Sequence, residues 1–156
     1  MSARKITLFL AMFVVCTGLW GADDPLMGIW KLNLAKSKYS PGSPPKSGTT
    51  TYEPYGKDGF KFTSDQVDAQ GKSLHVTFVA EYDGKDYPIT GDPGRDAIFA
   101  KRIDLYTHQT TNKKNGKITT TARRVIAKDG KTMTLTITGK NAQGQEVHNV
   151  QFYDKQ

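Results

Sequence analysis

The chain has 156 residues and a formal net charge of +7, from 22 Lys and Arg against 15 Asp and Glu. This length favours a single domain and excludes separate cofactor and substrate lobes. A charged share of 24% and an aromatic share of 10% are ordinary for a folded domain and argue against intrinsic disorder.

The first residues have the order of a secretory signal peptide. Arg4 and Lys5 precede an uncharged, mostly apolar run at 6–20, which small and acidic residues follow. The run is shorter than the roughly 20 residues of a membrane-spanning helix, although an uncleaved membrane anchor is the alternative. We predict that residues 1–22 are removed on export to the periplasm or the medium. Removal leaves a net charge of +5 and takes away Cys16, the only cysteine, so the mature chain has no disulfide and no thiol nucleophile.

Residues 23–156 show the two-residue period of β-strands. Met133, Leu135 and Ile137 alternate with threonines, which suit the solvent face of a pleated sheet. We find no convincing helical stripe. With the spacing of the turns, the alternation predicts about ten strands, near 28–34, 49–55, 60–67, 73–82, 86–90, 97–103, 105–112, 117–127, 131–139 and 146–154.

Turn signals recur between these strands. Glycine follows Asp, Asn or Gln at Asp58-Gly59, Gln70-Gly71, Asp83-Gly84, Asn115-Gly116, Asp129-Gly130 and Gln143-Gly144. Such pairs favour tight hairpins, because hairpin turns need positive φ. The proline-rich stretch 35–48 is instead predicted to be a long loop, with one helical turn possible at its start.

A meander of hairpins leaves unpaired edge strands, and closure into a barrel removes them. We therefore predict an all-β fold, an antiparallel up-and-down barrel of about 8–10 strands covering residues 23–156 as a single domain. A two-sheet sandwich is the alternative.

Two sequence segments resemble those of the calycin superfamily, the lipocalin-like and fatty-acid-binding-like barrels. One is the opening Gly28-Ile29-Trp30-Lys31-Leu32, and the other is the final hairpin, from Asp129 to Lys155. The chain also resembles small secreted bacterial lipocalin-like proteins of unassigned activity. The resemblance implies a barrel that encloses a small ligand.

The last strand gives two conflicting predictions. Alternation of apolar residues would place His148, Val150 and Phe152 inside. The resemblance implies that Gln151 and Tyr153 face inward, although the fatty-acid-binding barrels have Arg where this chain has Gln151. We follow the resemblance and expect the Tyr153 hydroxyl to meet a polar ligand group or Arg124.

We expect the ligand to contact inward-facing aromatic residues and one arginine. The candidates are Trp30, Phe62, Phe78, Arg124 and Tyr153. Trp30 alternatively fills the closed end of the barrel. The even-numbered residues from Ile118 to Ile126 share a face, and this face predicts that Arg124 points inward. There Arg124 would either lie as a cation over the Trp30 ring or bind an anionic group of the ligand. Arg123 and Arg124 could instead both be solvated.

The other polar residues indicate no reaction. His75, His108 and His148 are scattered without metal-ligand spacing. The acidic residues Asp83, Asp86, Asp92 and Asp96 fit turn chemistry better than a calcium loop or a catalytic pair.

The sequence therefore predicts a monomeric binding protein rather than an enzyme. It implies no metal or cofactor, no nucleic-acid partner and no membrane span after signal removal. The predicted ligand is a small apolar molecule bound in the barrel interior. The alternative is a packed envelope module that binds another macromolecule through its outer surface or its proline-rich loop.

Overall fold

A computed structural model describes residues 24–141 and 143–156, which form ten strands and contain no helix. The strands are β1 (Gly28–Lys38), β2 (Ser47–Tyr55), β3 (Gly59–Val67), β4 (Ser73–Glu81), β5 (Asp86–Pro88), β6 (Ala97–Asp104), β7 (Thr107–Lys114), β8 (Lys117–Ile126), β9 (Thr132–Lys140) and β10 (Glu146–Lys155). The predicted signal peptide lies outside the described residues, and export remains a prediction. A search of the described residues for a helix of membrane-spanning length and hydropathy finds none.

The ten strands form one antiparallel sheet that nearly closes on itself. Their order is β4-β3-β2-β1-β10-β9-β8-β7-β6-β5, so chain neighbours pair and β10 pairs back with β1. An isolated bridge between Thr77 and Thr90 links β4 to the segment after β5, with N–O distances of 3.0 and 2.9 Å. The predicted all-β barrel is confirmed.

The hairpin turns follow the glycine signal in five of six cases. At the β7–β8 turn, Asn115 and Gly116 have φ values of 50° and 73°, as a two-residue hairpin requires. At the β2–β3 turn the left-handed residue is Gly56 rather than Gly59, which already belongs to β3.

The predicted long loop at 35–48 is wrong at its first residues, because β1 continues to Lys38. Ser37 makes this possible: its hydroxyl donates to the Asn33 carbonyl at 2.7 Å and accepts from the Phe152 N–H at 3.0 Å. At the point where the register of β1 and β10 shifts, the Ser37 side chain takes the place of a backbone hydrogen bond between the two strands. The predicted helical turn is therefore absent.

A bulge also changes the predicted inward face of β8. Lys113 pairs with Ile118 and Thr111 pairs with Thr121, so β8 holds one extra residue between these pairs. Residues after the bulge keep the predicted facing, and Arg124 is buried. Ile118 is turned outward and is 68% exposed, which corrects the prediction for that residue.

The last strand follows the resemblance and not the apolar alternation. Gln151 and Tyr153 are buried, whereas His148 is exposed and Phe152 is half-buried on the outer face. The extension of β1 pairs with this part of β10, where Lys38 lies opposite Val150. Val150 and Phe152 are only half-buried, so the apolar residues of this strand do not mark its inner face.

Candidate functional site

The barrel interior holds a cavity of about 180 Å³. Five of its lining residues are apolar and the others are polar or charged. The lining consists of Thr50, Phe62, Ser64, Gln66, Leu74, Val76, Asp92, Arg95, Arg124, Leu135, Ile137, Gln151 and Tyr153. The interior in which we predicted a small apolar ligand is therefore mixed, with polar groups that can orient a bound molecule.

Arg124 is the cavity's most unusual residue, since its side chain is charged and the residue is only 4% exposed. Its Nε donates to the Tyr52 hydroxyl at 2.6 Å and its Nη1 donates to the Thr110 hydroxyl at 3.1 Å. Within the described ranges it forms no ion pair with a carboxylate. A guanidinium has five N–H donors, and the two hydrogen bonds use two of them.

Tyr153 and Gln151 add neutral polar groups to the same wall. The Tyr153 hydroxyl donates to the Gln151 side-chain carbonyl at 2.9 Å. Burial raises the pKa of Tyr153 well above its usual value, so the phenol stays protonated. We expected this hydroxyl to meet a polar ligand group or Arg124, and its partner in the structure is Gln151 of the same strand rather than Arg124.

Aromatic rings form the opposite part of the interior. Phe62 lines the cavity and stacks on Phe78, with ring centroids 4.5 Å apart and planes at 17°. Phe62 also meets Tyr52 edge to face at 5.3 Å. Such pairs stabilise the core by about 0.5–1.5 kcal/mol beyond area burial, so these rings form a rigid wall that also places the Tyr52 hydroxyl.

The loop between β5 and β6 brings two charged residues to the cavity. Asp92 pairs with Arg95 through Nε at 2.7 Å and Nη2 at 2.6 Å, and Arg95 also donates to the Asn112 side chain at 3.2 Å. Sequence reasoning assigned Asp92 to turn chemistry alone, and its other oxygen does accept from the Gly94 N–H at 2.8 Å. No sequence signal pointed to the second role.

A second depression lies outside the cavity, beside the proline-rich loop. It measures about 430 Å³ and shares Gln66 and Leu74 with the inner cavity. Gly42 and Pro45 of the proline-rich loop line its outer side. These two shared side chains therefore separate the cavity from the surface.

The other end of the barrel is closed by Trp30, which is fully buried. Its indole N–H donates to the Leu26 carbonyl at 2.8 Å, and the cation over its ring is Lys155, at 5.1 Å, not Arg124. A larger depression of about 900 Å³ lies outside this end. It is an open surface feature, and its Arg102 is already neutralised by Asp24 and Asp58, so we place the site in the inner cavity.

His108 lies near this closed end and is 1% exposed. Its Nδ1 is 2.7 Å from the Tyr82 hydroxyl, and its Nε2 is 3.6 Å from Asp24. Burial lowers the pKa of His108; Asp24 opposes the shift and Arg102 adds to it. In the described part of the chain, no three metal-ligating side chains lie together.

Comparison with known proteins gives matches in structure only. No family model and no curated protein matches the sequence. A similar solved structure is the zebrafish ileal bile acid-binding protein with cholic acid, at 17% identity over 85% of this chain and 99% of that chain, with a TM-score of 0.50. This chain shares the antiparallel β-barrel fold of that protein.

A further similar structure is the amine-binding protein of Rhodnius prolixus in its tryptamine complex. Identity is 11% over 85% of this chain and 65% of that chain, and the TM-score is 0.46. This chain therefore spans slightly less than two thirds of the Rhodnius protein.

The barrel brings together three of the five predicted ligand contacts. Phe62, Arg124 and Tyr153 line the inner cavity, whereas Phe78 supports Phe62 from behind and Trp30 fills the closed end. Sequence reasoning missed several polar lining residues and the Arg124 partners. They are Thr50, Ser64, Gln66, Asp92 and Arg95, with Tyr52 and Thr110 behind them. Period two in β2 would have identified Thr50 and Tyr52 as inward-facing.

Proposed function

We propose that this barrel binds a small molecule that has an apolar body and an anionic headgroup such as a carboxylate. Arg124 supports this proposal most directly. A charge removed from water is costly unless it is paired, and buried arginine almost always has a partner. A carboxylate in the cavity would supply the missing counter-ion and accept the remaining N–H groups of Arg124.

The cavity size limits the ligand. About 180 Å³ is below the roughly 300–1,000 Å³ of ordinary ligand pockets, while a cavity of about 150 Å³ holds benzene. The ligand of the zebrafish protein, cholic acid, is a steroid and exceeds this space. We therefore propose an aromatic or short aliphatic acid, whose body packs on Phe62 and Leu135. Each Å² of its apolar surface that is buried contributes about 25 cal/mol.

We also propose that a ligand enters from the depression beside the proline-rich loop. Gln66 and Leu74 are only partly buried, and rotation of these side chains would join the depression to the cavity. An elongated acid could then leave its tail in the outer depression.

The predicted signal segment supports action outside the cytoplasm. Binding rather than catalysis is supported by the similar zebrafish structure, which is a ligand-binding protein by its description. The alternative, a ligand-free module that binds a macromolecule, would leave the charge of Arg124 without a role.

The test compares acids with neutral molecules of the same shape. Calorimetric titration of benzoate and of benzamide into the purified protein should show tighter binding of benzoate. Arg124→Met should remove that preference. Arg123→Met, at an exposed position next in sequence, is the matched control and should retain it.

Mass spectrometry of the protein as isolated gives an independent answer. A co-purified small acid would support the proposal. Equal affinity for the acid and the amide, or no binding of either by protein free of co-purified ligand, would contradict it.

A further inference from the structure

The tip of the β7–β8 hairpin carries the most exposed large apolar side chain among the described residues. Ile118 is 68% exposed because the bulge in β8 turns it away from the interior. Bulges commonly re-aim a side chain at functional positions. A single exposed isoleucine is ordinary by itself, but its surroundings are not.

Two lysines of like charge lie beside Ile118 at the hairpin tip. Lys114 and Lys117 are direct cross-strand partners at the end of the ladder. Like charges placed opposite each other destabilise a sheet. Neither lysine forms an ion pair in the described part of the chain, whereas neighbouring Lys113 is neutralised by Asp86 at 2.6 Å. An anionic partner would relieve this repulsion.

The hairpin tip adjoins the loop that lines the cavity. Asp96, in that loop, donates its N–H to the Lys113 carbonyl at 3.0 Å and accepts from the Asn115 N–H at 2.8 Å. The same end of the barrel carries Lys46 and Lys72, which are also exposed and form no ion pair with residues 24–141 or 143–156. Among the described residues, this rim therefore carries several lysines without an ion-pair partner together with Ile118, while its carboxylates Asp68 and Asp96 accept backbone N–H groups.

We propose that this rim docks on an anionic lipid bilayer, with Ile118 inserted among the headgroups and the lysines facing lipid phosphates. Juxtaposed lysines are attracted to anionic lipid surfaces by about 1 kcal/mol each. An exposed isoleucine beside them favours a bilayer over a purely polar polyanion, because only the bilayer offers an apolar layer beneath its charge. Docking in this orientation sets the outer depression and the cavity at the membrane surface. The proposal does not depend on the identity of any cavity ligand.

Vesicle co-sedimentation of the purified protein tests the proposal. Binding to vesicles of phosphatidylglycerol and phosphatidylcholine should exceed binding to phosphatidylcholine alone, and 0.5 M salt should abolish the difference. Lys114→Gln with Lys117→Gln should weaken binding about 30-fold, at about fivefold for each lysine. Ile118→Ser should weaken it about fivefold or more, from the lost apolar contact.

The matched control is Val125→Ser. Val125 is another outward-facing β-branched residue of β8, 42% exposed, at the opposite end of the strand. It should leave vesicle binding unchanged. Circular dichroism and unfolding curves confirm that all variants fold.

Three outcomes would overturn the proposal. They are no vesicle binding, equal binding to neutral and anionic vesicles, and equal losses from Ile118→Ser and Val125→Ser. Absence of vesicle binding together with retention on a soluble polyanion such as heparin would assign the lysines to a polyanionic polymer instead.

Discussion

The Nε of Arg124 lies 2.6 Å from the hydroxyl oxygen of Tyr52, a residue 72 positions earlier in the chain. Arg124 is on β8 and Tyr52 is on β2, and three strands of the sheet separate them. The hydrogen bond therefore crosses the barrel interior rather than following the ladder. It fixes the direction in which the remaining guanidinium N–H groups point.

This contact predicts a non-additive response to mutation. Tyr52→Phe alone leaves a buried charge with one fewer acceptor, and should lower the free energy of unfolding by about 1.5–3 kcal/mol. Combining it with Arg124→Met removes the charge and its partner together, and should restore most of that loss. Urea unfolding of the four proteins of the cycle measures the coupling. Additive losses would show that the hydrogen bond is not formed.

The sequence predicted the barrel well because its strands alternate and its turns contain glycine. The facing of β10 could not be read from alternation, since its apolar residues Val150 and Phe152 are half-buried on the outer face while Gln151 and Tyr153 are buried inside. Ile118 was wrongly predicted to face inward, because one bulge reverses a two-residue period. Asp92 and Arg95 reach the cavity through a loop, and local spacing carries no information on such contacts.

The loop with Asp92 and Arg95 should be sensitive at Gly91. Its φ is 86°, and a Cβ there would lie 1.9 Å from the backbone carbonyl oxygen of His75. Gly91→Ala should lower stability by several kcal/mol and weaken acid binding, because the loop must move. Gly84→Ala is the control, with φ of 85° and nothing within 4 Å of the added carbon. Gly84→Ala should lower the free energy of unfolding by about 1 kcal/mol, from backbone strain alone. Similar stability losses in both variants would contradict the expected clash between the added carbon at position 91 and the His75 carbonyl.

The size limit of the cavity should depend on Phe62. Phe62→Ala should cost about 3–5 kcal/mol of stability and should admit acids one ring larger, such as naphthoate. Phe78→Ala removes the other member of the stacked pair, which does not line the cavity. It should cost a similar amount without the same gain in naphthoate affinity. If calorimetric titration shows the same gain in naphthoate affinity for both variants, Phe62 does not limit the size of the ligand.

The last prediction concerns pH and rests on His108. Because its pKa in the fold is lowered from 6.5, the unfolded chain takes up a proton near pH 6.5 that the folded chain refuses. The free energy of unfolding should therefore fall as the pH drops below about 6.5, by at most about 1.4 kcal/mol per pH unit, until the lowered pKa is reached. Above about pH 6.5, His108 should contribute no pH dependence to the free energy of unfolding. The groups that face it are Tyr82, Asp24, Arg102 and Arg124, and burial with the two arginines outweighs the opposing effect of Asp24.

Urea unfolding at pH 5, 6, 7 and 8 measures this slope. His108→Gln keeps an acceptor for the Tyr82 hydroxyl but cannot titrate, so the difference in unfolding free energy between wild type and this variant should change only below about pH 6.5. His75→Gln is the control: His75 is exposed and bonded to Asp65 at 2.7 Å, and the control should keep the wild-type slope attributed to His108. A constant difference between wild type and His108→Gln at all four pH values would mean that His108 takes up its proton equally in the folded and unfolded chains.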